Sequence, residues 1–232
     1  MRRVTDGLYI LSEGGPANVY LIEGSADLTL IDSGASRAAP RLLAEIKANG
    51  FSPKDIGRIV LTHAHADHVG GVEAFRELQA VKVYAHPKEI PVLCGEKRVP
   101  MFQGFKGFFL NFSYERSMPW GPLDFVQPIE PGTPIRAIPQ WQILHTPGHT
   151  EGSISLFHPV RQILICGDVL FSRDKTLHLP DASYLRDEGP LQKSLKGLSK
   201  LDCDVLCCGH GPVIRGGAFR YIEAVAARKR SR

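Results

Sequence analysis

The sequence predicts one α/β domain of two sheets with helices outside them, and three observations carry that expectation. Short apolar runs bounded by turn residues alternate with helical spacings in both halves of the chain. The 232 residues, 43% of them hydrophobic, can bury a large core, and this length is at the upper end of what one domain holds. No uncharged apolar stretch reaches the ~18 residues that a membrane helix needs, so the apolar content is spread over strands and amphipathic helices.

The elements follow in order. Leu8 to Leu11, Val19 to Glu23 and Leu28 to Ile31 read as strands, and past Gly34 a helix is expected from Arg37 to Asn49. Ile59 to Leu61 is a buried-type strand that delivers the chain into Thr62-His63-Ala64-His65-Ala66-Asp67-His68. Helical spacing runs from Val69 to Leu78, and a strand follows at Val81 to Ala85. The later half repeats the theme, with strands near Trp141 to Leu144, Ile154 to Phe157, Ile163 to Cys166 and Val205 to Cys207, and helices near Leu191 to Leu201 and Ala218 to Ala227.

One segment, at about 95–125, loses this periodicity. It is dense in aromatic residues, among them Phe105, Phe108, Phe109 and Trp120, interleaved with glycine and proline. So aromatic a stretch argues against disorder, and two readings stand level: a lid over a substrate, or a packing or dimer-contact insert.

The formal charge of +4 is small for this length, and Lys and Arg are scattered apart from Met1 to Arg3 and Arg228 to Arg232. That pattern lacks a nucleic-acid footprint, and a basic tail suits the end of a helix. Neither nucleic acid nor membrane is expected as a partner; oligomeric state stays open, a homodimer included. The five cysteines, an odd number without a paired framework, point to a reducing compartment, and with no apolar leader the expectation is a soluble, cytoplasmic protein. Cys207 and Cys208 lie in an apolar run whose neighbours face opposite ways, which favours buried small hydrophobes over a soft-metal site.

The chemistry is concentrated after the Ile59 to Leu61 strand. Residues two apart on a strand-to-turn segment face the same way, so His63 and His65 can offer imidazoles to one cation while Asp67 and His68 reach a second. Packing has no use for three histidines and an aspartate in six positions beside an apolar strand. Two cations need further ligands, and three turns supply candidates: Pro147-Gly148-His149, Gly167-Asp168 and Gly209-His210-Gly211-Pro212. Each sets a ligand-type side chain after an apolar strand and beside glycine, where the backbone can turn sharply.

These motifs, in this order and across nearly the whole chain, resemble the metallo-β-lactamase superfamily. The resemblance implies a four-layer αββα sandwich with the metals at one edge between the sheets. It also implies His63, His65 and His149 on one cation, Asp67, His68 and His210 on the other, and Asp168 bridging them. Such a pair of cations would ionise water near neutral pH and polarise a carbonyl, with Asp67 and Asp168 as the catalytic carboxylates and Asp67 able to orient or relay a proton. The expected activity is hydrolysis of a small-molecule ester, thioester or lactone. Zinc is the default metal, and iron or manganese accept the same ligands.

The ligand set looks most like the glyoxalase II branch and its lactone-opening relatives, yet departs from both. Glyoxalase II enzymes carry a basic C-terminal helical extension, whereas this chain runs only to Arg232 after His210. Quorum-signal lactonases place a tyrosine three residues after the bridging aspartate, where this chain has Phe171. Two other classes are a mononuclear iron sulfur dioxygenase and a non-catalytic metal-binding or interaction module. His145 reads equally as a residue steadying a ligand or as a structural histidine, and Asp32 as an acceptor behind the ligands or a plain turn residue. His86, His158 and His178 read as packing or surface residues, and Arg173 and Lys175 as solvated charge ahead of anion-binding groups.

Overall fold

The structure is a computed structural model, and it describes residues 1–98, 113, 116–174, 176–181 and 188–227. Phe105, Phe108 and Phe109 of the aromatic segment, Lys175 and the basic tail from Arg228 lie outside the described residues.

The first sheet holds β1 (Arg2–Thr5), β2 (Leu8–Leu11), β3 (Val19–Glu23), β4 (Leu28–Ile31), β5 (Ile56–Val60), β6 (Lys82–Ala85) and β7 (Gln127–Pro128) in that spatial order. It is antiparallel from β1 to β4 and parallel from β4 to β7. The later strands are β8 (Gln142–His145), β9 (Ile154–His158), β10 (Ile163–Gly167), β11 (Phe171–Arg173), β12 (Thr176–His178), β13 (Val205–Cys208) and β14 (Ile214–Arg215). The second sheet runs β14-β13-β10-β9-β8, with β10 and β13 parallel, while β11 and β12 form a separate hairpin.

Strand alternation explains how these sheets stack. Tyr20, Ile22, Ile31 and Val60 point from the first sheet into one core with Ile143, Leu156, Ile163, Ile165 and Cys207 of the second. Their neighbours Leu21, Leu30 and Ile59 point the other way, onto Leu42 and Ile46 of α1 (Ala39–Ala48) and Val72 and Phe75 of α3 (Val72–Arg76), which follows the short α2 (Ala66–Val69). On the far face of the second sheet, Leu164, Leu206 and Cys208 meet α5 (Glu188–Leu198) and α6 (Ala218–Ala226); α4 (Ile90–Leu93) is a single turn after β6. The period of two thus sorts each strand's side chains between a sheet-to-sheet core and a sheet-to-helix core, which gives the four layers αββα. Cys207 and Cys208 fall on opposite faces, and all five cysteines are free.

Two expectations change. The single helix over Val69 to Leu78 is broken into α2 and α3, because a Cβ at Gly71 would strike the Ser33 carbonyl and the Gly71 amide instead donates to Gly34 O (2.9 Å). The edge strands β1, β7 and β14 and the β11–β12 hairpin were not anticipated, since β7, β14, β11 and β12 have only two or three residues and β1 has a single fully buried one, Val4. Trp120 is half-buried and packs against the α1–α3 core, and Phe125 lies beneath the Arg76 guanidinium, 3.4 Å from its ring centroid.

Phe75, 1% exposed, joins α3 to the first sheet. Phe75→Ala is expected to destabilise the metal-free fold by about 3–5 kcal/mol, read as a lowered denaturation midpoint with an unchanged slope.

Candidate metal centre

All seven sequence-derived ligand residues come together at one end of the sandwich. His63, His65, Asp67 and His68 follow β5, Asp168 follows β10 and His210 follows β13, each at the carboxyl end of a strand with a parallel neighbour, while His149 sits in the β8–β9 connection. Carboxyl ends of parallel strands are where such sheets leave a crevice for ligands.

Two groups of ligand atoms form, each with all its atoms within 4.8 Å of one another: His63, His65, His149 and Asp168, and beside them Asp67, His68 and His210. In the first, His65 Nδ1 lies 3.0 Å from both His63 Nε2 and His149 Nε2. A tetrahedral ion with bonds of about 2.0 Å would set its ligand atoms roughly 3.3 Å apart, so these imidazoles are spaced for a cation. In the second, His210 Nε2 is 3.4 Å from His68 Nε2 and 3.5 Å from Asp67 Oδ2. Asp168 faces both groups, with Oδ2 3.5 Å from His149 Nε2 and 3.2 Å from His210 Nε2, and Oδ1 3.4 Å from His68 Nε2. That Oδ1 is buried without a hydrogen-bond partner. An orphaned buried carboxylate oxygen costs about 1–3 kcal/mol or more, which a cation between the two groups would remove. The donor set therefore fits two divalent cations.

His63, His68 and His210 are each aimed by a contact behind the ring. Asp32, at the end of β4 with φ +62°, accepts from the Thr62 amide (2.7 Å), the Thr62 hydroxyl (2.8 Å) and His68 Nδ1 (2.8 Å). The Thr62 hydroxyl in turn accepts from His63 Nδ1 at 3.0 Å. One carboxylate thereby fixes an Nδ1–H on a histidine in each group and turns both Nε2 atoms toward the centre. Asp32 is an acceptor behind the ligands, and the plain-turn alternative falls away. His210 Nδ1 donates to Pro16 O (3.0 Å), and the Asn18 amide group holds the same loop by donating to Cys208 O (2.9 Å) and Gly211 O (2.7 Å).

Glu89, which sequence reasoning missed, is 3% exposed and accepts from the Ala64 amide (2.8 Å) and the Gly152 amide (2.7 Å). It ties the His63–His65 loop of one sheet to the His149 loop of the other. Nothing in His86-Pro87-Lys88-Glu89 marks it, since its partners are backbone amides 25 and 63 residues away. His145 Nε2 bonds Glu151 O (2.9 Å), in the loop that carries His149, and its ring stacks on His86 at 4.2 Å. Gly209 is required by close approach, for a Cβ there would overlap Asp168 Oδ1.

The two groups differ electrostatically. Burial, reinforced by neighbouring imidazoles, holds His63 well below the usual imidazole range, and burial takes His149 down to about 4 against the pull of Asp168. Burial also opposes charge on His68 and His210, but Asp168 and the other nearby carboxylates outweigh it and raise both. Burial would raise Asp168, and His68 and His210 instead hold it well below the carboxylate range. Before a cation enters, the three-imidazole side is neutral at His63 and His149, while the second side favours protons at His68 and His210.

The centre forms one wall of a cavity of about 910 Å³. His210, its side chain 27% exposed against 5% or less for Asp67, His68, His149 and Asp168, marks the open side. Phe171 stands edge-on to His210 (5.0 Å between centroids) and His149 (6.4 Å), and Met118, Arg173 and His178 complete the mouth. His178 thus reaches the cavity, while Trp120 is absent from its lining.

Known proteins share this fold and part of this sequence. The sequence model of the Metallo-beta-lactamase superfamily matches residues 12–210. The "Probable metallo-hydrolase YflN" of Bacillus subtilis (strain 168) is 29% identical over 221 residues, covering 88% of this chain and 84% of the relative. Among solved structures, the metallo-beta-lactamase family protein TTHA1429 of Thermus thermophilus superposes with a TM-score of 0.75 at 23% identity, over 97% of this chain and 80% of its own. TTHA1623, in a di-iron-bound form, superposes with a TM-score of 0.66 at 30% identity, over 86% and 89%.

Asp32→Ala frees both the His68 ring and Thr62, and is expected to weaken divalent-cation binding about 10- to 100-fold, measured by competition with a chromophoric chelator. Cation entry beside His68 and His210 must displace the protons that their raised pKa values retain, so affinity at that position falls as pH is lowered. Calorimetry in two buffers of different ionisation enthalpy should show proton release on binding of the second equivalent. Equal enthalpies in both buffers would contradict the assignment.

Proposed function

The chain belongs to the metallo-beta-lactamase superfamily, and from that membership we propose that it is a dinuclear metal-dependent hydrolase cleaving an ester-type bond, thioester, lactone or carboxylic ester, of a small molecule. The observation that carries the proposal is Asp168, a member of one group of ligand-type side chains, facing the second group at the wall of a cavity.

When bound, a pair of divalent cations supplies an acidified water as nucleophile and a Lewis acid for the oxyanion that forms. The chain's own residues do the rest. His63, His65 and His149 hold one position and Asp67, His68 and His210 the other, with Asp168 reaching both. Asp67, 3% exposed and lining the cavity, is placed to orient the attacking water and take its proton. Phe171 and Met118 give the mouth an apolar wall that excludes bulk water and favours hydrocarbon next to the scissile bond. His210, the most exposed of these ligands, puts the substrate's approach on the Asp67–His68–His210 side.

Zinc suits the imidazole and carboxylate donors, and the di-iron form of TTHA1623 makes iron the second candidate. We place the protein in the cytoplasm on its five free cysteines, acting on a small molecule rather than on nucleic acid or membrane. Among the described residues no helix is long and apolar enough to cross a membrane.

The test is a panel of aryl esters, thioesters and lactones given to protein of measured metal content. Turnover should disappear with a chelator and return with the metal. Asp168→Ala should lower kcat/KM on the order of 10³-fold, corresponding to several kcal/mol of lost charge stabilisation. Turnover that persists in metal-free protein would sink the metal-dependent mechanism, and oxygen consumption with a persulfide by an iron-loaded protein that leaves every ester intact would sink the hydrolase reading.

A further inference from the structure

The β11–β12 hairpin begins three residues after Asp168, and its two faces carry different chemistry. Ser172 and Leu177 point inward: they are 5% and 3% exposed, and the Ser172 hydroxyl donates to the Pro212 carbonyl. Side chains alternate along a strand, so Phe171 and Arg173 share the opposite face, as do Thr176 and His178 of the paired strand. Register sets Phe171 across from His178 and Arg173 across from Thr176. The contacts of Phe171 with His210 and His149 fix that face toward the metal centre.

Phe171, Arg173 and His178 line the same cavity as Asp67, His149, Asp168 and His210. Arg173 forms no ion pair among the described residues. His178 Nε2 donates to the Thr176 hydroxyl (2.8 Å), which itself donates to the Arg173 carbonyl (2.7 Å), so both side chains brace the hairpin. Asp181 also lines this cavity and has an interaction of its own. A guanidinium without a carboxylate partner among the described residues, rooted on a short braced hairpin beside an apolar ring, is a fork for a planar anion.

We propose that this hairpin face is a carboxylate-recognition arm: the substrate carries a carboxylate that Arg173 grips as a two-pronged hydrogen-bonding pair. Phe171 covers the carbon chain between that carboxylate and the bond to be cleaved. The substrate class becomes the half-ester or half-thioester of a dicarboxylic acid, or an ester whose leaving group bears a carboxylate. This specificity rests on the hydrolase reading above, but the arm can be tested apart from it.

Two compound pairs make the test. The p-nitrophenyl monoester of adipic acid and its terminal carboxamide report turnover. The corresponding adipic monoanilide and its terminal carboxamide, which resist hydrolysis, report binding by calorimetry to both metal-loaded and metal-free protein. The carboxylate member of each pair should be preferred about 10- to 100-fold. Arg173→Ala should erase that preference by raising KM and Kd for the carboxylate compounds alone, leaving kcat and the carboxamide values unchanged. Arg173→Lys should restore part of it. Equal affinity for the two anilides in the wild type would overturn the arm, as would an Arg173→Ala loss that falls equally on both members of each pair. An inorganic phosphate ion that displaces the carboxylate anilide at comparable concentration would also overturn it, by showing a general anion site. Absence of ester turnover with the anilide preference intact would refute the hydrolase reading and leave the arm standing.

Discussion

The Asp32 carboxylate is the contact on which the rest of the centre depends. It stands at the end of β4 beside the end of β5, where parallel pairing brings Thr62 within reach, and its two oxygens take three donors. Because one oxygen meets His68 directly and Thr62 passes its orientation to His63, a single buried charge commits both ligand groups to one set of tautomers. Asp32 occupies the left-handed backbone region, which aspartate tolerates better than bulky or branched residues do. The turn is therefore spent on the geometry of the ligands.

His65 Nδ1 stands 3.0 Å from the Nε2 atoms of both His63 and His149, and the fold supplies the rigidity that holds so close a set of buried polar atoms. The ligands come from the ends of both sheets, and the core between those sheets is continuous from Tyr20 and Val60 to Ile165 and Cys207. Across the seam, Glu89 ties the His63–His65 loop to the His149 loop, while Asn18 and Pro16 hold the His210 loop from the first sheet. Close glycine contacts, such as that of Gly209 against Asp168, let the loops interlock. The two halves of the centre are distinct in character: neutral imidazoles on the buried side, and a proton-holding pair on the side that opens to the cavity.

Much of this was legible in the amino-acid order. Apolar runs located the central strands, because a strand buried on two faces must be apolar throughout, as β10 shows in Ile163-Leu164-Ile165-Cys166. Local spacing also announced the His63-x-His65-x-Asp67-His68 motif, since those ligands lie on one loop. The short edge strands and the division of α2 from α3 were not visible, as two or three residues carry no period and the break depends on Ser33 lying against Gly71.

By itself, the sequence determined which residue types were available to bind cations and which runs had to be buried, because both are properties of neighbouring residues. Only the tertiary structure decided that Asp32 serves the ligands, that His145 turns to Glu151, that Glu89 bridges two loops and that Arg173 and His178 share a face beside Phe171. Each of those outcomes depends on a partner or a pairing register set by the packing of strands, and local composition holds no record of which distant backbone amide or carbonyl that packing will bring into reach.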